Sequence, residues 1–263
     1  MGNLQELHSH LTDEEVERAV RSRSELSGLT AVLSSQTYEH VNPACRQKLH
    51  RAIMHAANHG LTWMGDVSED RMGYGPARNS ACEQALQDED VQGIVWVDSD
   101  IHPEVSSITR LLFSVRRFGL NFITGVYHQR GGDYQPVLYE WRRADRKWGF
   151  QIVDGYPENE IAPKAGCGFG FCYTSTKMLR SIQSLREFTK EGKWFPDTRD
   201  SGGFGEDLGF CYLARKAKYQ LYVDTGVQVG HSGDGTIITQ DTFRRRCAER
   251  VEDAKNAQMA RHH

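Results

Sequence analysis

In "VQGIVWVDSDIHPE", residues 91–104, an apolar run meets two aspartates, Asp98 and Asp100, with only Ser99 between them. Side chains two apart on a strand point the same way, so these carboxylates converge if strand geometry persists through them. Two carboxylates about 6 Å apart repel by about 3 kcal/mol at an effective dielectric of 20. A divalent cation reverses that cost. Oxygen ligands favour magnesium, manganese or calcium, and one added imidazole tilts the choice toward manganese. A helix-capping loop ahead of Pro103 uses the same residue types, so the triplet alone does not decide.

Further candidates lie in the second half of the chain. "GGFGEDLGF" places Glu206 and Asp207 in the first turn of a helix, where backbone N–H groups favour carboxylates whatever their role. The preceding residues, Gly202 to Gly205, read as a loop able to close over a ligand. His231, between Gly230 and Ser232, offers a neutral imidazole as a ligand or a structural ring. Gly166 and Gly168 in "AGCGFGFC" suit a backbone that passes close to a ligand, or a bulge. Trp194 and Phe195 read as an aromatic platform or as core. Two basic clusters, Arg142, Arg143, Arg146 and Lys147, then Arg244, Arg245 and Arg246, have Trp141, Trp148 and Phe243 nearby. That mixture fits phosphate contact with base stacking, and equally a solvated hairpin tip and a polar helix.

The elements that must position these residues follow from periodicity and punctuation. "LTDEEV" carries a capping box and a hydrophobic staple for an N-terminal helix within 1–27. "GLTAVLSSQT" reads as a first strand, and "VNPACRQKLHRAIMHAANHG" as a helix from Pro43 that Gly60 stops. "LTWMGD" is a second strand, "PARNSACEQALQDE" a helix and "GIVWVD" a third strand. His102-Pro103 opens the next helix, which Gly119 closes, and "NFITGVYH" is another strand. Alternating strands and helices predict a mainly parallel sheet covered on both faces. After about residue 130 the pattern turns mixed: "QPVLYEW" and "KWGFQIV" form a hairpin, then come a Gly-rich strand with its helix, the Glu206 helix and the strand "QLYVDTGVQVGH". The expectation is one α/β domain over 1–263, with a Rossmann-like half at 28–130 and a partly antiparallel half at 131–263.

Bulk properties narrow the class. Of 263 residues, 38% are hydrophobic and 25% charged, as in soluble globular proteins. No apolar run approaches the roughly 20 residues that span a bilayer, and the polar start lacks a secretory core. Six scattered cysteines without CxxC spacing predict reduced thiols, and hence a cytoplasmic protein with no zinc site. A net charge of −3 excludes coating of nucleic acid by bulk electrostatics but leaves local basic patches open. No protein partner is evident.

The Asp-x-Asp strand, "ARN" ahead of it, "GCGFGF", "GED" and "VGH" occur in the order found in metal-dependent glycosyltransferases of the GT-A fold. The likeness covers roughly residues 28 to 233 and resembles small stand-alone bacteriophage-type enzymes in particular, which would place the protein in the host cytoplasm. It implies a nucleotide-sugar donor, a UDP-sugar first, with manganese or magnesium. It implies that Asp98 meets the ribose or a metal-bound water, that Asp100 and His231 hold the metal, and that Asp98 completes the site. Arg78 would contact the nucleotide, and Ser34 to Gln36 its base and ribose. Gly166 and Gly168 would border the sugar. Asp207 would be the base that deprotonates the acceptor, with Glu206 beside it. Inversion is expected, although a retaining enzyme carries the same motifs.

The acceptor is least defined. The phage likeness points to 5-hydroxymethylcytosine in DNA, with Arg143 and Arg245 on phosphates and Trp194 and Phe195 as platform. Alternatives are a polysaccharide or protein acceptor, or a nucleotide-sugar-binding module without catalysis. Nucleotidyl transfer is disfavoured because "LSSQTYEH" is no Gly-rich phosphate loop.

Overall fold

The apolar runs of both halves pair into one sheet. The computed structural model describes residues 25–36, 43–69, 72–144, 147–201, 203–233 and 235–260. The N-terminal helix expected within 1–27 falls almost wholly outside them, as do Asn42, Arg146 and Gly202. The strands β1 (Thr30–Ser34), β2 (Thr62–Asp66), β3 (Gly93–Val97), β5 (Phe122–Val126), β8 (Ile161–Lys164), β10 (Phe171–Ser175) and β11 (Leu221–Gln228) form a seven-stranded sheet in the order β2-β1-β3-β10-β5-β11-β8. Five strands run one way; β10, between β3 and β5, and the edge strand β8 run against them. The boundary expected near residue 130 does not divide the sheet, since β5 lies between two strands of the second half.

Strict alternation along the central strands builds a core on each face. Ile94 and Trp96 of β3, Phe122 and Val126 of β5 and Cys172 of β10 face one side. There they pack on helices α2 (Tyr74–Gln87), α4 (Thr176–Gln183) and α6 (Glu206–Lys216) through Ala81, Met178 and Phe210. Val95, Val97, Ile123, Phe171 and Tyr173 face the other side, against α1 (Pro43–Asn58) and α3 (Ser107–Phe118) through Ala52, Ala56, Ile108 and Leu112. Each such aliphatic or aromatic side chain contributes about 1.5–3 kcal/mol by leaving water. The glycine stop after α3 is as expected: Gly119 takes φ 63° and its N–H bonds the Val115 carbonyl.

Three smaller pieces complete the fold. The hairpin β6 (Leu138–Ala144) and β7 (Lys147–Ile152) joins the two-residue strand β9 (Gly166–Cys167). A short helix, α5 (Arg186–Glu191), follows α4, and α7 (Gln240–Ala260) ends the described chain. The two-residue strand β4 (Ile101–His102) pairs with β12 (Gly230–Gly233), which also pairs with β13 (Thr236–Ile238). This corrects one boundary. Sequence punctuation starts the helix at His102-Pro103, but those residues lie in or beside β4 and the helix begins at Ser107. Long-range pairing supplies β4 with backbone partners that no local signal announces.

Candidate functional site

The carboxyl end of β3 is the organising point. β3 stops at Val97, and Asp98-Ser99-Asp100 is a tight turn in which the Ile101 N–H bonds the Asp98 carbonyl at 3.0 Å. The period-two rule therefore ends before the aspartates, and their carboxylates take separate partners. Asp98 turns to Arg78 on α2, with Nη2 at 3.1 Å and 3.3 Å from its two oxygens. Asp100 turns to His231 on β12, where Nε2 is 3.4 Å from Oδ2. The two acids therefore differ in their bonded partners, although each still lies within electrostatic reach of the other.

Arg78 is a buried hub, only 2% exposed. Its Nη1 pairs with Asp207 and lies 3.5 Å from Glu206, while its Cζ sits over the rings of Tyr74, Phe169 and Phe195 at 5.4, 5.7 and 5.8 Å. α6 begins at Glu206, so both acids enter from its first turn as the sequence implied. Burial alone would lower the Arg78 pKa, but Asp207, Asp98 and Glu206 outweigh it and raise it. Asp207 also accepts the Phe169 N–H at 3.2 Å. Burial is the largest influence on Asp207; Arg78 opposes it, Glu206 and Asp98 reinforce it, and the carboxyl is raised to about 6. Burial likewise raises Asp98 against the pull of Arg78.

Around Asp100 the register of β4 and β12 does the positioning. Ile101 is opposite His231, His102 is opposite Gly230, and the Ser232 N–H bonds the Asp100 carbonyl at 2.9 Å. The His231 Nδ1 is 2.7 Å from the His128 carbonyl, which can only accept, so Nδ1 carries a proton; in the neutral ring the Nε2 lone pair, 3.4 Å from Asp100 Oδ2, accepts from Arg130. The guanidinium of Arg130 fills the space between, with Nε 3.1 Å from that Nε2 and Nη2 paired to Asp100. Burial pushes the Asp100 carboxyl up, but His231 in its charged, donating form and Arg130 prevail and hold it below the usual range.

The chemistry of this donor pair fits a divalent metal. A carboxylate oxygen and an imidazole lone pair 3.4 Å apart are both acceptors, and the backbone-anchored Nδ1–H is the outer contact that orients metal-binding histidines. Among the described residues, no three His, Cys, Asp or Glu side chains form a ready-made metal cluster. Asp98 feels the charges of Asp100 and His231 but is bonded to Arg78, so Asp100 and His231 are the pair in direct contact.

A cavity of about 290 Å³ opens beside this turn, lined among others by Leu33, Ser35, Cys45, Leu49, Asp66 and Asp98. Ser34 and Gln36 are not in its wall. They are buried, with Gln36 Nε2 2.6 Å from Ser34 Oγ and Gln36 Oε1 accepting the Glu69 N–H at 3.1 Å. Of the expected run Ser34 to Gln36, only the middle residue, Ser35, lies on the open side.

Other expectations need correction. Trp194 and Phe195 are 2% and 1% exposed and pack on Phe188, Trp96, Phe169 and Phe210, so they are core and not a platform. The glycines give room to protein side chains: a Cβ on Gly168 would overlap the Tyr127 hydroxyl, and one on Gly166 would meet Phe150 and Leu208 at 2.9 and 3.0 Å. Arg143 and Arg245 are exposed, the latter with Nε 3.4 Å from the Asp241 carbonyl of its own helix. Their neighbours are spoken for: Arg142 pairs with Glu140, Arg244 with Glu158, and Arg246 with Asp133 at 3.6 Å. Arg130, Tyr74 and Asp66 join the site without having been singled out. For Arg130 the signal was present in "GVYHQR", two residues after a buried strand-end histidine.

The seven-stranded sheet flanked by helices, together with its likeness to solved structures, identifies the architecture. The chain has a GT-A fold. Its fold matches A197 from STIV (TM-score 0.51, 18% identity), covering 81% of this chain and 94% of that one. It also matches GalNAc-T7, solved with UDP, GalNAc and Mn2+ (TM-score 0.50, 12% identity), covering 79% of this chain and 45% of that one. No family model and no curated protein matches the chain. In this GT-A chain, no helix among the described residues is long and apolar enough to cross a membrane. The GT-A sheet ends β3 at the mouth of the cavity, where ligands of such sheets bind.

Proposed function

We propose that this chain is a divalent-metal-dependent glycosyltransferase that moves a sugar from a nucleotide-sugar donor to a hydroxyl. The observation that carries the reading is the joining by Arg78 of Asp98, at the end of β3, to Asp207, a carboxyl raised to about 6 at the head of α6. A base poised near neutral pH and a donor site are thereby fixed to one buried cation. The GT-A fold and the UDP and Mn2+ of GalNAc-T7 favour a uridine nucleotide and manganese. The cavity lined by Ser35 and Asp66 suits the nucleoside, with the Asp66 carboxylate as an acceptor for a base N–H.

In this reading Asp207 takes the acceptor proton as its oxygen bonds the anomeric carbon and the bond to the nucleoside diphosphate breaks. Arg78 and the Phe169 N–H keep the Asp207 carboxylate oriented throughout. Attack from the face opposite the departing diphosphate gives inversion. Manganese or magnesium held by Asp100 and His231 would offset charge on the leaving group. Asp98, in the cavity wall, would meet the ribose.

The acceptor is proposed only as a hydroxyl compound. Hydroxymethylated DNA rests on basic side chains of which Arg142, Arg244 and Arg246 are already ion-paired. The test is to incubate the protein with Mn2+, a panel of nucleotide sugars, and hydroxymethylated duplex DNA or oligosaccharides, and to measure nucleoside diphosphate release and product mass. Release with a matching sugar adduct supports the reading. Tight UDP binding with no release, under every donor and acceptor, would make the chain a binding module.

A further inference from the structure

Two arginines serve this site, and they are built differently. Arg78 is 2% exposed and enclosed by three carboxylates and three rings, so it has nowhere to go. The Arg130 side chain is 55% exposed although both partners are largely covered, Asp100 at 21% and His231 at 10%. It reaches Asp100 and His231 from the solvent side, along a path it can retrace.

The backbone beneath Arg130 is anchored. Gly233 lacks the Cβ that would lie 3.0 Å from the Arg130 Cα, so β12 and this segment are in close contact. The Gln129 N–H bonds the Gln135 carbonyl at 2.9 Å, and His128 bridges to Pro136. Beyond it, Asp133 is held by Arg250 at 2.9 Å and Arg246 at 3.6 Å, both from α7. The backbone is thus tied on both sides of Arg130, and the exposed part is its side chain.

The two acceptor atoms on which its guanidinium sits, Asp100 Oδ2 and His231 Nε2, are the ones that suit a metal. A dication and a guanidinium cannot occupy one such site, because like charges at contact distance repel strongly even in a polar protein environment. Tyr74, which also stacks on Arg78, hydrogen-bonds to Arg130 and gives the displaced head a neighbouring partner within the cleft.

We propose that Arg130 is an exchangeable cation of the donor site. With no donor bound it neutralises Asp100 and holds His231 in register; when the metal–nucleotide enters, it yields those atoms and turns its planar fork onto the donor's diphosphate. A guanidinium pairs with phosphate oxygens through two parallel N–H bonds, which suits that second position. This rests on the nucleotide-sugar reading above and adds to it a residue that links metal occupancy to diphosphate grip.

The experiment uses the full chain and reads binding alone. Mn2+ is titrated by the loss of its free-ion spin-resonance signal, without nucleotide, into the wild type, Arg130→Met, Arg130→Lys and Asp100→Asn. A resident competitor that fills the site in nine molecules of ten weakens apparent affinity about tenfold, so Arg130→Met binds Mn2+ about tenfold more tightly. Arg130→Lys, which keeps the charge, stays near the wild type. Calorimetry with Mn2+ present then shows weaker UDP binding for Arg130→Met with uridine binding unchanged. Asp100-dependent Mn2+ binding that is equal in the wild type and Arg130→Met overturns the proposal and leaves the donor site standing. UDP affinity unchanged in Arg130→Met removes the diphosphate role. Absence of Asp100-dependent Mn2+ binding from the wild type and Arg130→Met alike overturns both this proposal and the metal-dependent reading beneath it.

Discussion

Arg78 and Asp207 form an ion pair between α2 and α6, and the same guanidinium holds Asp98 at 3.1 Å. One buried cation thus ties the end of β3 to the head of the helix that carries the proposed base.

Its removal should be costly to the fold. Arg78→Met leaves Asp98, Glu206 and Asp207 close together without their cation, and breaking such a buried cluster costs about 3–5 kcal/mol. Asp98 and Asp207 already have raised carboxyls, and losing Arg78 raises them further. A carboxyl whose folded pKa exceeds its unfolded value takes up protons on folding, so the variant gains stability as pH falls through the folded pKa. Thermal melting at pH 8 and pH 5 should show a variant that recovers part of its deficit on acidification. An equal deficit at both values would mean that lost packing, not charge, is responsible.

Asp207→Asn should lower the transfer rate by about 10²- to 10⁴-fold while UDP affinity changes little. In the wild type, kcat/KM should climb with pH and level off above about 6, where Asp207 is ionised and able to accept a proton. A profile that is flat from pH 5 to 8 with a natural acceptor would move the base to another group.

Asp100→Asn should abolish Mn2+-dependent UDP binding, and His231→Ala should weaken it, each measured by calorimetry with and without metal. Asp98→Asn, whose carboxylate faces Arg78, should leave Mn2+ affinity largely intact. Equal loss of metal affinity in Asp98→Asn and Asp100→Asn would restore the convergent acid pair that the turn geometry argues against.

Gly168→Ala places a methyl on the Tyr127 hydroxyl, which accepts the Gly170 N–H at 3.0 Å. The overlap should cost about 1–3 kcal/mol, seen as a lower Tm. Gly166→Ala meets only the ends of Phe150 and Leu208 and should cost less. Wild-type melting in Gly168→Ala, with donor binding lost, would return this glycine to the sugar site.

Local pattern was enough for most elements. The apolar runs "TAVLS", "GIVWV" and "FITGV" become β1, β3 and β5 because alternate residues can bury on both faces, and Gly119 ends α3 because only a residue comfortable at positive φ closes it without strain. Glu206 and Asp207 sit in the first turn of α6 for an equally local reason, the free N–H groups of a helix start. Of the run Ser34 to Gln36 only Ser35 reaches the cavity, because neighbouring residues on an extended chain face opposite ways. Trp194 and Phe195 look the same in sequence whether they line a groove or fill a core; α2, α4 and α6 converge on them, and that convergence is tertiary.

By itself, then, the order of residues determined that acids end a buried strand, that acids open a late helix and that a histidine follows the final long strand. Each of those is a short-range matter of hydrophobic period, capping and turn chemistry. Only the tertiary structure decided which carboxylate meets which cation. Asp98 goes to Arg78 because α2 packs beside the end of β3, and Asp100 goes to His231 because β4 pairs with β12 across more than a hundred residues of chain, a matter of long-range sheet register and not of local propensity.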